Sequence, residues 1–460
     1  MSTPTHIAVI DIGKTNAKLA LVDRQSLTEI AVVTRPNAVL RGPPWPHFDT
    51  EGHWAFLLDA LAGFHAGHRI DAISITTHGA CAALLRADGA LAAPVLDYEH
   101  TGPDTVAAEY DALRPGFDET GSPRLAHGLN LGAQLHWQFG VDPGLRQHVA
   151  QVVTWPQYWS HRLTGAVASD VTSVGCHTDL WNPYEGRFSS LVGRLGLQGR
   201  MARPMRPDQI LGPILPAVAA RTGLDPATPV ACGIHDSNAS LLPHLLCQTG
   251  PFALVSTGTW VVTMAVGGRA VALDPLRDTL MNVNALGDAV PSARFMGGRE
   301  YEIVRAGRDL AASEVDMAAA IAEGVMLFPA VEPSSGPFRG RKMRWSHPEG
   351  AIAGNVRAAA LSFYLALMTA ECLTMTGAEG SVIVEGPFAV NTAYLSMLAA
   401  ASGRPVMPAQ SRTGTSIGAA LLFGTDGQSP TPPRRFDLSG DLAPGLAAYA
   451  KRWRDSVRQG

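Results

Sequence analysis

Only five cysteines occur in the 460 residues (Cys81, Cys176, Cys232, Cys247 and Cys372), and no two form a CxxC pair. Their spacing argues against a zinc site and against a disulfide framework. Reduced, mostly buried thiols of a cytosolic protein are the expectation. An excess of one charge is also missing. The 36 basic and 40 acidic residues leave a net charge of −4, mixed along the chain. No basic stripe suited to a nucleic-acid backbone is present, so nucleic acid is not an expected partner. Long apolar runs are scarce. The most apolar stretch, AAALSFYLALMTA (358–370), is too short to span a bilayer and reads as a core helix, so no membrane association is expected. The opening MSTPTH shows no basic region leading into an apolar one, and a cytoplasmic location is expected.

What is present is globular. A hydrophobic fraction of 46% and a charged fraction of 17% suit a packed soluble protein. The length suggests two domains, three at most. The chain is organised around VACGIHDSNAS (230–240), where an apolar run ends at Gly233, a single carboxylate follows at Asp236 and small residues open a helical pattern. Ser237 or Asn238 can cap that helix. Asp236 then stands at a strand-to-helix mouth, where ligands of α/β folds bind, and a carboxylate there can take the proton of an attacking hydroxyl. The competing reading is an Asp that merely starts a helix.

Residues 7–22, IAVIDIGKTNAKLALV, read as strand, glycine hairpin, strand, and the outline returns at 252–266 as FALVSTGTWVVTMAV. Laid over each other, Asp11 meets Ser256, Gly13 meets Gly258, and Lys14 and Thr15 meet Thr259 and Trp260. Two such hairpins half a chain apart suggest a duplicated domain. A glycine turn lets backbone N–H groups approach a phosphate closely. Two facing turns can hold the phosphates of a nucleotide, with Lys14, Thr15, Asn16, Lys18, Thr257 and Thr259 as added contacts. Asp11 is a candidate for holding Mg²⁺ through water. Two unrelated hairpins are the competing reading.

Elsewhere, 47–64 reads as a loop entering a helix. Residues 70–96 read as strand, turn and strand, with His78 and Gly79 at the turn. In 119–140, Leu135, Trp137 and Phe139 are core candidates. The stretch 152–189 is rich in Trp, Tyr, Ser and Thr and reads equally as a sugar platform or a packed lid. Pro204 to Pro229, punctuated by Pro and Gly, is the expected domain junction. ARFMGGREYEIVRAG (293–307) reads as a Gly-Gly loop and 350–377 as a long helix. The stretch 381–391 reads as a strand, then a helix runs to Ala401. Residues 404–424 read as strand, small-residue turn and helix. Glu385-Gly386-Pro387 at a strand end opens onto an adenine or is a plain turn.

The order and spacing of these pieces resemble the FGGY carbohydrate kinases over nearly the whole chain. IAVIDIGKTNAKLALVD is similar to the family's first phosphate motif, GIHDSNAS to the segment of its catalytic base, and ALVSTGTW to its second phosphate motif. EGPFAVNTAYLSMLAAASGRPV followed by GTSIGAALL resembles the adenosine motif. ITTHGACAALL resembles the sugar-side turn, and LTGAVASDVTSVG the LTG…TD…AS segment. The resemblance implies an α/β fold of two related ribonuclease H-like (actin-like ATPase) domains with a cleft between them, at 1–231 and 232–460. It implies Mg²⁺ and ATP as cofactors and a small sugar as partner, with a homodimer as a possible assembly. By that likeness Asp236 is the base and Asp11 lies near the metal. Gly13, Gly258, Glu385, Gly386, Pro387 and Asn391 lie on the nucleotide side, and His78, Gly79, Tyr98, Glu99, Gln157 and His235 on the sugar side. His100 and Arg299 are further candidates for sugar contact.

The chain departs from the family where the sugar is contacted and also in the adenosine motif. The Trp-x-Asp-x-Arg stretch is replaced by Asp97-Tyr98-Glu99-His100, a Lys-Asp pair by Pro156-Gln157, and Gly-Gly-Gly by Glu385-Gly386-Pro387. A ketose or deoxy-ketose kinase, of the rhamnulose, fuculose or xylulose kind, is the expected activity. A sugar-binding regulator without turnover and a water-driven ATPase are the alternatives.

Overall fold

The computed structural model describes residues 4–308, 311–409, 414–425 and 433–459. The small-residue turn expected within 404–424 falls at 410–413, outside the described residues. The chain forms two compact units. The first takes the chain to Cys247 together with Met281–Ala289 and the helix Gly414–Ala420; the second takes 248–280, 290–409 and the C-terminal helix Ala443–Gln459.

The sheet of the first unit begins with β1 (His6–Ile12), β2 (Asn16–Asp23) and β3 (Thr28–Pro36) in antiparallel array, and β4 (Ala72–Thr77) adds parallel to β1. Beyond β4 come β5 (Ile210–Pro213) and β6 (Pro229–Ala231), with the short β7 (Ile234–His235) also on β4, giving the order β5-β6-β4-β1-β2-β3. Strand β1 is central, so alternate residues feed two cores. Ala8, Ile10 and Ile12 pack with Leu57 and Leu61 of α1 (Thr50–Gly67). Ile7 and Val9 pack with Ala239, Leu242 and Ile417 on the other face. Burial on both faces is why its sequence reads as a continuous apolar run. Strand β3, at the edge, alternates exposed and half-buried residues instead.

Trp155, Tyr158 and Trp159 of α2 (Trp155–Thr164) lie almost wholly inside and against one another. Of the two readings of that aromatic stretch, packing holds for these three. Leu135, Trp137 and Phe139 are buried as expected. Pro204 to Pro229 is not a junction: it supplies β5 and the helix Pro216–Thr222 to the first unit. Helix α3 starts at Asp236 itself and runs to Cys247, so Ser237 and Asn238 lie inside it and do not cap it. Its packing on the first sheet carries that unit past the expected boundary at 231/232.

In the second sheet, β8 (Phe252–Thr257), β9 (Val261–Val266), β10 (Thr279–Val283), whose residues from Met281 on are grouped with the first unit, and β11 (Ala289–Phe295) precede the parallel β12 (Ser381–Glu385) and β13 (Val406–Pro408). Their order is β10-β11-β9-β8-β12-β13. The run β11-β9-β8-β12-β13 repeats β3-β2-β1-β4-β6 in order and direction, which is the duplicated ribonuclease H-like pattern. The hairpins are not equal in length. Ile12 pairs with Ala17 around Gly13–Asn16, whereas Thr257 pairs with Val261 around 258–260, so the first turn holds one residue more.

The Gly-Gly stretch is no loop: Gly297 and Gly298 open helix α4 (Gly297–Arg305). A Cβ on Gly298 would lie 2.1 Å from Gly258 O, so the bare residue lets the helix meet the turn. Helix α5 (Gly354–Met375) has 22 residues, longer than its apolar segment suggested and enough to cross a bilayer by length. Nearly all of it is packed inside the second unit's core, as a core helix should be. Four of the five cysteines are buried, and none of the five forms a disulfide.

Candidate active site

Three parallel strands of the first unit end together. Ile12 of β1 and His235 of β7 both pair with Thr77 of β4. Asp11, His78 and Asp236 are therefore carried at one end of neighbouring strands, and that C-terminal end is where α/β sheets bind ligands. Asp11 faces Lys18 across the β1–β2 ladder, with Nζ 3.3 Å from Oδ2, and the same ammonium lies 3.3 Å from Glu29 Oε1. Burial pushes the Asp11 carboxyl up to about 6; Lys18 opposes this, while Asp236 and Glu29 add to it. Asp236, by contrast, keeps about a third of its side chain exposed (35%).

His78 is buried, with Nδ1 2.8 Å from Gly79 O and the rings of Phe48, Tyr98 and Trp155 around it. Burial pulls it down to about 4, so it is neutral, and its Nδ1–H donates to the Gly79 carbonyl. Nε2 is then a bare acceptor with no partner among the described residues. His235 is also buried. Its Nε2 lies 3.3 Å from Asp236 Oδ1, and its backbone N–H donates to Thr172 Oγ1 at 3.0 Å. Burial by itself would lower its pKa; Cys176 and Asp236 beside it outweigh that and lift it to about 10. A Cβ on Gly79 would stand 2.8 Å from His235 Nε2, so the glycine makes room for this ring.

The first glycine turn is braced by a residue the sequence did not single out. Asn37 donates its N–H to Thr15 O and its amide to Gly13 O, both at 2.8 Å, and its Oδ1 is 2.7 Å from His53 Nε2. Thr15 and Asn16 stay exposed. Lys14 turns elsewhere: it pairs with Asp97 and with Glu99 (3.2 Å) and lies 4.8 Å from the Tyr98 ring centre. Lys14, Tyr98 and Glu99 therefore form one cluster, and His100 packs edge-on against Trp137.

In the second unit Gly258 and Thr259 are exposed at their turn. Thr257 is buried; its hydroxyl donates to Glu385 O and accepts the Phe388 N–H at 3.1 Å. Gly386 has φ +83°, and a Cβ there would lie 1.9 Å from Thr257 O. Pro387 opens one 3-10 turn, after which Asn391 caps helix α6 (Thr392–Ser402), accepting the Tyr394 N–H at 3.0 Å while its amide reaches Ser362 at 3.1 Å. Thr257 and Asn391, expected as nucleotide contacts, thus have their side chains engaged in holding the turn. Arg299 is paired with Glu332 at 3.3 Å and is mostly exposed, the surface ion pair that competes with a sugar contact.

Comparison with known proteins decides the family. Residues 6–243 match the N-terminal domain of the FGGY family of carbohydrate kinases, and residues 249–432 match the carbohydrate kinase FGGY C-terminal domain. The chain belongs to the FGGY carbohydrate kinase family. It is similar to a carbohydrate kinase from Novosphingobium aromaticivorans, with 36% identity, a TM-score of 0.90 and full coverage of both chains (100% each). It is 24% identical to the L-fuculokinase of Salmonella typhi over 57% of each chain. It is also 24% identical to the uncharacterized sugar kinase YgcE of Escherichia coli, over 59% of this chain and 49% of that one. The chain thus spans about half the length of these curated relatives.

Two features of this FGGY kinase chain bear on ligands. Among the described residues no group of three or more His, Cys, Asp or Glu side chains converges on a metal position. Asp11 instead fits the usual state of Mg²⁺ beside phosphates, where water and phosphate oxygens supply most ligands. Gln157, expected to touch the sugar, has its side chain engaged inside the protein. It is fully buried, its Oε1 bonded to Thr154 and its Nε2 donating to Cys232 O (2.9 Å) and Gly233 O (3.2 Å). It stands in a helix packed behind the 232–235 segment, and its amide satisfies two carbonyls there.

Proposed function

We propose that this FGGY chain transfers the terminal phosphoryl group of ATP to a hydroxyl of a ketose or deoxy-ketose. The observation that carries the reading is the partly exposed Asp236 carboxylate at the strand ends, beside half-buried Asp11 and the bare His78 acceptor. In this reading Asp236 accepts the hydroxyl proton, the sugar oxygen bonds to the γ-phosphorus, and the bond to the ADP oxygen breaks. His78, Gly79, Tyr98, Glu99 and His235 receive the sugar, His78 accepting one hydroxyl proton in a hydrogen bond. The backbone N–H groups of Gly13–Asn16 and of 258–259, with the side chains of Thr15, Asn16 and Thr259, receive phosphates, and 385–387 the adenosine. Asp11 holds Mg²⁺ through water; the ion, when bound, neutralises phosphate charge. The first unit, which includes Asp236, carries the sugar side and the first phosphate turn, and the second unit carries the nucleotide side. The altered Asp97–His100 segment and the similarity to an L-fuculokinase favour a deoxy-ketose. Coupled ADP release across ketoses, aldoses and polyols tests this: turnover should be highest with a ketose or deoxy-ketose, and best turnover with glycerol would overturn the substrate class.

A further inference from the structure

The segment that leads into Asp236 is gripped from two sides by buried side chains. From α2, Gln157 donates to Cys232 O and Gly233 O, and Ser160 Oγ donates to Cys232 O at 2.8 Å. Gly233, at φ +100°, then turns the chain. From the other side comes Thr172, itself held by Asp170, and both are fully buried. Asp170 Oδ1 accepts the N–H groups of Thr172 (2.8 Å) and Ser173 (3.1 Å) and also the Thr172 hydroxyl. A threonine hydroxyl has one proton. With that proton committed to Asp170, only lone pairs face the His235 N–H, which donates to Thr172 Oγ1 at 3.0 Å. The ring of the same His235 reaches Asp236 Oδ1 at 3.3 Å.

We propose, resting on Asp236 as the base, that the buried Asp170–Thr172 pair is a positioning strut. It fixes the His235 backbone, and through the His235 ring it fixes the direction of the Asp236 carboxylate. Asp170 caps only the four-residue helix Val171–Val174, and a carboxyl wholly removed from water is an expensive cap for so short an element. Orienting the base gives it a second role. Neither Asp170 nor Thr172 touches the reacting atoms; both act through His235. Loss of the Thr172 hydroxyl leaves the His235 N–H unpaired and the ring free to swing. Misplacement of a reacting group by about 1 Å can cost on the order of 10²-fold in rate.

The test is steady-state kinetics, for ATP and for the best sugar of the panel, on Thr172→Val, Thr172→Ser and Asp170→Asn, with Asp236→Asn as reference. Thr172→Val should lower kcat by roughly 10- to 100-fold while both KM values stay within about 2-fold, as expected for a displaced base. Thr172→Ser should recover most of the rate. Unchanged kcat in Thr172→Val, or equal damage from Val and Ser, overturns the strut. Should Thr172→Val not fold, Asp170→Asn carries the test: a selective fall in kcat supports the strut and a wild-type kcat overturns it. Full turnover in Asp236→Asn removes the base assignment itself, and with it the strut. An inactive Asp236→Asn beside an unaffected Thr172→Val removes the strut alone.

Discussion

His235 Nε2 stands 3.3 Å from Asp236 Oδ1, one residue buried and the other partly open to solvent. The pair joins the interior of the first unit to its ligand-facing edge. The imidazole belongs to a two-residue strand on β4, and the carboxylate is the first residue of a helix. Asp236 is thus fixed at its root yet accessible at its tip, as a base that must meet a substrate hydroxyl requires.

The first prediction concerns that carboxylate. Asp236→Asn preserves shape and removes basicity, so sugar-dependent ADP release should fall by about 10²- to 10⁴-fold. The melting temperature should change little, since the side chain is partly exposed and contacts His235 and Ser237 within its own turn of chain. Coupled turnover and thermal unfolding on the same preparation check both halves.

What the residues revealed by themselves was local. The hairpins around Gly13 and Gly258 and the strand-to-helix switch at Asp236 were legible because strand periodicity and glycine turns are written within a few residues. Long-range partners were not. Lys14 and Asp97 lie 83 positions apart and Gln157 and Cys232 lie 75 apart, and residue type does not say which distant group will satisfy a buried amide or ammonium. The Pro204–Pro229 stretch misled for a physical reason. Its prolines stand at an edge strand and in the first turn of a helix, and Gly223 ends that helix at φ +77°. The same residues that punctuate a linker also build short, capped elements. Gly297 and Gly298 misled likewise: they open a helix, Gly297 packed closely against Val261 and Phe295 and Gly298 against the Gly258 turn.

A second prediction follows from Glu300, fully buried in α4. Burial lifts its carboxyl to about 7, Glu332 adding to the rise while the Glu332 N–H and Tyr364 oppose it. The folded state therefore holds this proton more tightly than the unfolded chain. Glu300 is neutral in both states below the unfolded value of 4.5, and it disfavours folding progressively as pH rises to about 7. Glu300→Gln keeps an acceptor for the Glu332 N–H without the charge. Its melting temperature should exceed wild type at pH 8, by an advantage of up to about 3 kcal/mol. That advantage should vanish near pH 4.5. Unfolding curves at the two pH values decide it, and an equal offset at both would refute the buried-charge account.

Gly386→Ala is a third. The residue sits at φ +83°, and its new methyl would lie 1.9 Å from the Thr257 carbonyl, a backbone atom that cannot move without carrying the Gly258 turn. Strain of this kind costs on the order of 1–3 kcal/mol. Because Thr257 also bonds Glu385 and Phe388, the displacement should reach the phosphate-side turn. The expected outcome is a lower melting temperature together with a raised KM for ATP and a nearly unchanged KM for the sugar.

The fourth prediction separates Lys14 from the phosphate role that its place in the first turn suggests. Its ammonium is paired with Asp97 and Glu99 and lies over Tyr98, and Tyr98 packs edge-on to His78. The charge therefore ties the Gly13 turn to the Asp97–Glu99 segment, on the proposed sugar side. Lys14→Met keeps the stem that covers Phe48 and Tyr98 but removes the ion pair. A charge-assisted bond in a half-buried setting contributes about 1.5–3 kcal/mol, equivalent to roughly 10- to 100-fold in affinity. That loss should fall on the KM for the sugar, with the KM for ATP within about 2-fold of wild type. A mutant whose KM rises for ATP alone would return Lys14 to the phosphates. Asp97→Asn, which breaks the same pair from the other side, should reproduce the sugar effect, because both substitutions release Tyr98 from the ammonium that holds it beside His78.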